Sequence, residues 1–197
     1  MLTSYNETYY INSSISNYTD YRKKKFDGLA NDLFTYFNLN SKKILDYGAA
    51  TGGLISSLKN LGCMVKGVDI SIWAVEYGRQ NYNLSETELT TTNNFNFNET
   101  FDKIIMLDVL EHLNINYLNS LLEKIYKTDI IIRIPVSKNE GEDFVLDVSK
   151  NDKTHIQIHD KIWWCEFFKK YKYSFKPLNL SNIYDSEGVM AGELIYD

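Results

Sequence analysis

The sequence predicts an α/β domain built on a mostly parallel sheet, and three observations carry that prediction. Apolar segments of strand length alternate with segments of helical periodicity from residue 43 to residue 135. Parallel neighbours need a crossover connection, so the alternation argues for parallel strands with helices on the faces. The first strand runs directly into a turn of small residues, Gly48-Ala49-Ala50-Thr51-Gly52-Gly53, and then into a helix. Finally, 197 residues with 44% apolar and 24% charged side chains suffice for one domain with a sizeable core.

The elements follow in order. Residues 1–19 lack periodicity and are rich in Tyr, Asn and Ser, which suits an arm or lid; the domain proper is expected to span 20–197. Phe26, Leu29, Ala30, Leu33, Phe34 and Phe37 form one apolar stripe on a helix, with Asp20 placed as its N-cap. Lys43 to Tyr47 is the first strand. Leu54, Ile55, Leu58 and Leu61 mark the helix after the small-residue turn, and Gly62 ends it. Met64 to Val68 is a second strand, Ile72 to Asn81 a helix, and Glu86 to Thr90 a short third strand. Lys103 to Leu107 is a buried strand, followed by a helix marked by Ile115, Leu118, Leu121, Leu122 and Ile125. Asp129 to Ile134 is a fifth strand, closed by Pro135. Past a polar stretch, 138–153, a helix is expected near Asp160 to Tyr171. Two strands near Tyr173 to Leu180 and Val189 to Tyr196 suit an antiparallel edge.

Composition removes several classes of function. Net charge is −5, so no broad basic field exists for a phosphate backbone, and nucleic acid is not an expected partner. The run Arg22-Lys23-Lys24-Lys25 reads as a solvated helix face. Cys63 and Cys165 lack metal-ligand spacing and read as thiols of a reducing compartment. Residues 1–21 contain no apolar core of a secretory signal, and no apolar run has bilayer length, so no membrane insertion and a cytoplasmic location are expected.

The turn at Gly48 to Gly53 is the most informative stretch. Small residues let a ligand approach the backbone, and the following helix N-terminus offers unpaired N–H groups. In open α/β sheets ligands bind here, outside the carboxyl ends of the strands. Asp69 ends the second strand about 20 residues later, where an acid accepts hydrogen bonds from ribose hydroxyls. These two features fit a dinucleotide as well as another adenosine ligand, and Gly48, Ala50 and Gly53 fit a degenerate G-x-G-x-x-G register. Asp46 separates the two. A carboxylate beside a pyrophosphate gains nothing, whereas a ligand with an ammonium group and no phosphate is attracted to it. The rival structural reading makes Asp46 a strand-end acid bonded to local backbone.

Leu45-Asp46-Tyr47-Gly48-Ala49-Ala50-Thr51-Gly52 resembles motif I of the class I S-adenosylmethionine (SAM)-dependent methyltransferases. Asp69 is similar to that family's ribose-binding acid, and the stretch from Phe101 through Asp108-Val109-Leu110-Glu111-His112-Leu113 resembles its fourth strand and following loop. The resemblance spans roughly residues 20 to 197. It implies a Rossmann-like fold, with a seven-stranded mostly parallel sheet, an antiparallel C-terminal edge and helices on both faces. It implies SAM as cofactor, S-adenosylhomocysteine (SAH) as product, and a cofactor site made by Asp46, Gly48, Ala50, Gly52, Asp69, Ile70, Asp108 and Val109. Ala50 departs from the glycine many members carry. Thr90-Thr91-Thr92-Asn93-Asn94 stands where many members place an adenine-binding acid, which leaves the adenine contacts open.

Methyl transfer from a sulfonium requires positioning of the acceptor and removal of its proton. His155 is the favoured base for a hydroxyl acceptor and His112 the second candidate. Asp108, Glu111 and His112 fall at i, i+3 and i+4, a spacing that places three ligands on one helical face, and a similar cluster holds a divalent ion in some quinone-type members. The favoured reading here has no metal: Asp108 lines the cofactor pocket and Glu111 caps a helix. Trp163, Trp164, Phe167, Phe168 and Tyr171 read mainly as core, with one Trp a candidate to stack on a sugar. Tyr5, Tyr9, Tyr10, Tyr18 and Tyr21 read either as packing or as a lid over the sulfonium. The Tyr18-x-x-Tyr21 layout, the Asp152-Lys153-Thr154-His155-Ile156 segment and the Trp pair resemble methyltransferase domains of surface-glycan synthesis. The expected acceptor is therefore a hydroxyl of a sugar or glycan, with glycan-synthesis enzymes as associates. A quinone-like or other small metabolite is the alternative acceptor. A non-catalytic SAM-binding module and an NAD-binding oxidoreductase are the alternatives of another class.

Overall fold

The computed structural model describes residues 5–11, 23–125 and 127–197. The chain divides into two compact units, Met1–Lys103 and Ile104–Asp197. Among the described residues there are seven strands, as expected, and they are those of a mixed sheet that is parallel except at its C-terminal strands.

The first unit opens with a short helix, α1 (Glu7–Ile11), in the stretch expected to be an arm. Asp20, Tyr18, Tyr21 and Arg22 lie outside the described residues. Helix α2 (Lys23–Phe37) buries Phe26, Leu29, Ala30 and Leu33, while Phe34 and Phe37 at its far end are only half-buried. Strand β1 (Lys43–Tyr47) pairs in parallel with β2 (Met64–Asp69), which pairs in parallel with β3 (Leu89–Thr91), giving the order β3-β2-β1. Helix α3 (Gly53–Asn60) lies between β1 and β2 in sequence and buries Leu54, Ile55 and Leu58. Helix α4 (Ile72–Tyr82) connects β2 to β3; Ser71 caps it by accepting from the Ala74 N–H at 3.1 Å. Ile55, Val75, Leu84 and Leu89 close one core cluster with Ala49 of the small-residue turn.

In the second unit β4 (Lys103–Leu107) pairs in parallel with β5 (Ile130–Pro135), and β7 (Val189–Tyr196) pairs antiparallel with both β5 and β6 (Tyr173–Pro177), giving the order β4-β5-β7-β6. Pro177 lacks a backbone donor and ends β6 earlier than the apolar pattern suggests, as suits an edge strand. Helix α5 (Ile115–Lys124) carries the expected stripe, with Asn114 as N-cap at 3.0 Å from the Tyr117 nitrogen. Helix α7 (Lys161–Lys169) starts at the Asp160 cap and buries Trp164, Phe167 and Phe168. The polar stretch 138–153 holds an unexpected short helix, α6 (Asp147–Asn151). Among the described residues, no helix is long and apolar enough to cross a membrane.

Candidate functional site

In the first unit the turn after β1 is wound tightly. Gly48, Ala50 and Gly52 all take positive φ, at 86°, 49° and 76°. The Gly48 and Ala49 nitrogens both donate to Val68 O of β2, at 2.7 and 3.0 Å. Glycines let neighbours close on this turn. A Cβ on Gly53 would lie 2.4 Å from the Phe26 ring of α2, and one on Gly78 would lie 2.1 Å from Thr51 O. The turn is thus clamped from both sides with its backbone in contact range of α2 and α4.

Asp69 is the hub of this region. Its Oδ2 accepts from the Ala50 nitrogen at 2.8 Å, and its Oδ1 accepts from the Ser71 nitrogen at 2.8 Å and from the Tyr10 hydroxyl at 3.2 Å. Burial raises its pKa, and those hydrogen bonds pull in the opposite direction. Asp46, one residue before the end of β1, is 4% exposed. Burial, and then the charge of Asp69, push its carboxyl up to about 7. Ile70 is exposed beside Asp69. The sequence-predicted residues Asp46, Gly48, Ala50, Gly52, Asp69 and Ile70 are thus brought to one end of β1 and β2.

Tyr10 is the residue that sequence reasoning left undecided here. Its ring stacks on Trp73 with centroids 5.7 Å apart, and it joins Ala50 and Ala74 in one buried cluster with Tyr5, Tyr9 and Trp73 at its rim. Ser71 Oγ donates to Tyr5 O at 2.6 Å. The described part of the arm therefore packs on the small-residue turn and the start of α4.

In the second unit, Asp108 has φ 55° and stands apart from the 3-10 turn Leu110–His112 that follows. Its carboxylate is held by Arg133 through Nε at 2.9 and 3.1 Å and through Nη2. The expected i, i+3, i+4 face of Asp108, Glu111 and His112 needs an α-helical turn, which this segment does not form. Val109 is buried at the head of that turn.

A different cluster forms. Glu111 is fully buried, and neither carboxylate oxygen has a hydrogen-bond partner among the described residues. Nε2 of His112 lies 4.0 Å and Nε2 of His155 3.9 Å from Glu111 Oε1. The two imidazole rings meet edge to face at 4.6 Å. The loop carrying His155 is laced to the turn: the Ile156 and Gln157 nitrogens both donate to Glu111 O, at 2.8 and 3.0 Å. Asp152 Oδ2 lies 3.7 Å from His155 Nε2. Burial, and then the neighbouring His155, hold the His112 imidazole down to about 4. Burial raises the Glu111 carboxyl well above the usual range, with the Asp108 charge adding to it. The sequence signal for this cluster was the Glu111-His112 pair; its completion by His155 depends on the loop pairing, which no local pattern encodes.

The aromatic helix is mainly core, as read. Trp164 is fully buried, and Trp163 stacks on His159 at 3.5 Å and on Phe167 at 5.1 Å. His159 in turn is bonded to Glu140 at 2.8 Å.

Comparison with known proteins adds the following. The family described as "Methyltransferase domain" matches residues 18–171. No curated protein sequence matches. A solved magnesium protoporphyrin IX methyltransferase from Synechocystis PCC 6803 with bound SAH is 17% identical, with a TM-score of 0.63, covering 89% of this chain and 83% of that one. A SAM-dependent methyltransferase from Clostridium acetobutylicum ATCC 824 is 13% identical, with a TM-score of 0.64 and coverages of 91% and 94%. A glycopeptide N-methyltransferase, complexed with sinefungin, is 10% identical, with a TM-score of 0.62 and coverages of 87% and 94%. These structures share the Rossmann-like fold expected from the sequence.

Proposed function

The chain belongs to the methyltransferase-domain family and is a SAM-dependent methyltransferase; from that premise we propose that it methylates a hydroxyl of a small molecule, a sugar or surface glycan in the first instance. The observation that supports the cofactor assignment most directly is the buried Asp46 carboxylate beside the Gly48–Gly52 turn. A pyrophosphate placed there would meet a second buried negative charge. The ammonium of a methionine moiety instead offers Asp46 a charge-assisted hydrogen bond. Gly48, Ala50 and Gly52 are assigned to the surface of the turn that the cofactor approaches, Asp69 to the ribose hydroxyls, and Ile70 to the adenosine beyond it. Asp108 and Val109 keep their assignment to the cofactor.

Removal of the acceptor proton is assigned to His155, with His112 as the second candidate. Both imidazoles lie beside Glu111, and the His112 imidazole, held down to about 4 by burial and then by His155, is the weaker candidate of the two. Cys63 and Cys165 are free thiols, which fits a cytoplasmic enzyme, and association with glycan-synthesis enzymes follows from a glycan acceptor.

Calorimetry tests the cofactor: SAH or SAM should bind and NAD should not. Asp69→Asn should weaken that binding by about 1.5–3 kcal/mol, with its melting temperature measured alongside because Asp69 also holds the Ala50 and Ser71 nitrogens. The acceptor is tested by SAH release across nucleotide sugars, glycans and phenolic metabolites. Turnover confined to phenols would overturn the sugar assignment; binding without turnover on any class would favour a non-catalytic module.

A further inference from the structure

The cluster around Glu111 has an unusual hydrogen-bond balance. The Thr154 hydroxyl donates to Asp152 Oδ1 at 2.6 Å and lies 2.9 Å from His112 Nδ1. Its own proton is committed, so it accepts, and His112 carries its proton on Nδ1. His155 Nδ1 lies 3.0 Å from Ser149 O, a carbonyl that can only accept, so His155 also carries its proton on Nδ1. Both Nε2 atoms therefore present lone pairs toward the Glu111 carboxylate. At 3.9 and 4.0 Å neither contact is a hydrogen bond. Three acceptors converge with no donor among them, and the carboxylate is fully buried and unpartnered. Burying such a group uncompensated is costly.

We propose that Glu111, His112 and His155 bind one divalent transition-metal cation. The three candidate ligand atoms lie within 4.8 Å of one another. Ligands 2.0–2.2 Å from a tetrahedral ion stand about 3.4 Å apart, so the two Glu111–histidine separations of 4.0 and 3.9 Å close by roughly half an ångström and the widest separation by up to about 1.4 Å to complete the site. Two imidazole nitrogens with one carboxylate oxygen suit manganese, iron, cobalt or zinc better than magnesium or calcium. The Nδ1 partners, Thr154 with Asp152 behind it and the Ser149 carbonyl, orient the rings in the way outer acceptors orient metal-bound histidines. The ligand set corrects the one the sequence suggested: His155 takes the place of Asp108, whose charge is met by Arg133. Three protein ligands leave a position open for an exogenous oxygen, and a cation there would make a bound hydroxyl more acidic. The inference deepens the catalytic half of the function proposed above, with the cation acidifying the acceptor hydroxyl in place of a free imidazole base, but cation binding itself does not rest on it.

The test uses the full chain, stripped with a chelator and titrated with Mn2+ alone. Loss of the free-ion signal in electron paramagnetic resonance should give one bound Mn2+ per chain. Pulsed measurements on the bound ion should show nitrogen couplings from histidine. Glu111→Gln and His155→Asn should each weaken binding at least ~100-fold, while Asp46→Asn should not change it. SAH binding to the stripped protein is measured in parallel, so that loss of the metal site is told apart from loss of the cofactor reading. No saturable Mn2+ uptake would overturn the proposal and leave a proton as the occupant of the cluster. So would a bound ion without nitrogen couplings, or an affinity in both variants unchanged from that of the unsubstituted chain. Where a variant fails to fold, the nitrogen couplings of the unsubstituted chain decide.

Discussion

Burial, and then the charge of Asp69 on the adjacent parallel strand, raise the pKa of Asp46, so a second buried acid opposes its ionisation beside the small-residue turn. Such an arrangement costs stability in the ligand-free protein and favours a cationic ligand. The sign is definite. The Asp46 carboxyl in the folded chain titrates near 7, above its unfolded value of 3.8. The stability it contributes is complete below 3.8 and is lost as pH rises through about 7.

Asp46→Asn should therefore stabilise the ligand-free protein, and more so as pH rises. The rise from 3.8 to about 7 corresponds to roughly 4 kcal/mol, and a chain of this size gains about 2–4 °C per kcal/mol. The expected result is a melting temperature several degrees above the unsubstituted protein at pH 8, with the gap narrowing at pH 5. The same variant should bind SAH about 1.5–3 kcal/mol more weakly. In the unsubstituted protein, affinity should increase as pH climbs through 7. A constant gap in melting temperature across this range would show that Asp46 does not titrate as described.

Gly78→Ala carries the opposite sign from ordinary expectation. In an exposed helix interior this change stabilises by about 1 kcal/mol. Here the new Cβ would meet Thr51 O at 2.1 Å and Leu89 Cδ2 at 2.7 Å. The backbone of α4 or of the turn must move, so a loss of about 1–3 kcal/mol is expected in thermal unfolding. SAH affinity should fall with it, because Thr51 belongs to the turn. A variant at least as stable as the parent would mean that α4 does not clamp the turn.

Ala50→Gly tests the strain in that turn directly. Ala50 has φ 49°, a conformation that costs an L-residue roughly 1–2 kcal/mol. Glycine removes this cost and adds chain entropy to the unfolded state, a smaller opposing effect. The melting temperature should rise by about 1–3 °C with SAH binding retained. A fall would place the contribution of the Ala50 methyl group, buried among Tyr10 and Ala74, above the strain.

The sequence made most of this architecture legible because the strands β1, β2, β4 and β5 are apolar runs between turn signals, and the small-residue turn is a contiguous string. Where it was less exact, a tertiary contact decided the outcome. The β3 strand is short and its register is set by pairing with Gly67 to Asp69. Helix α6 lies in a polar stretch with no periodic stripe. Asp108 could be placed after β4 from the motif, but its pairing with Arg133 comes from the neighbouring strand β5. Likewise His155 is 44 residues from Glu111 and reaches it through two backbone hydrogen bonds that no spacing reveals.

Tyr10→Phe examines the arm. The Tyr10 hydroxyl and the Ser71 nitrogen both donate to Oδ1 of Asp69, the acid assigned to the ribose hydroxyls. A carboxylate oxygen has two in-plane lone pairs, so both are occupied and the hydroxyl of Tyr10 competes with the ligand. Phenylalanine keeps the stack on Trp73 and removes the competitor. The ligand-free protein should lose about 0.5–1.5 kcal/mol, and SAH should bind more tightly by a similar amount, read by calorimetry as roughly 2- to 10-fold. Weaker binding in this variant would reverse the assignment: the Tyr10 hydroxyl would then belong to a lid that closes on the ligand and contacts it, and Asp69 would have room for ribose beside it.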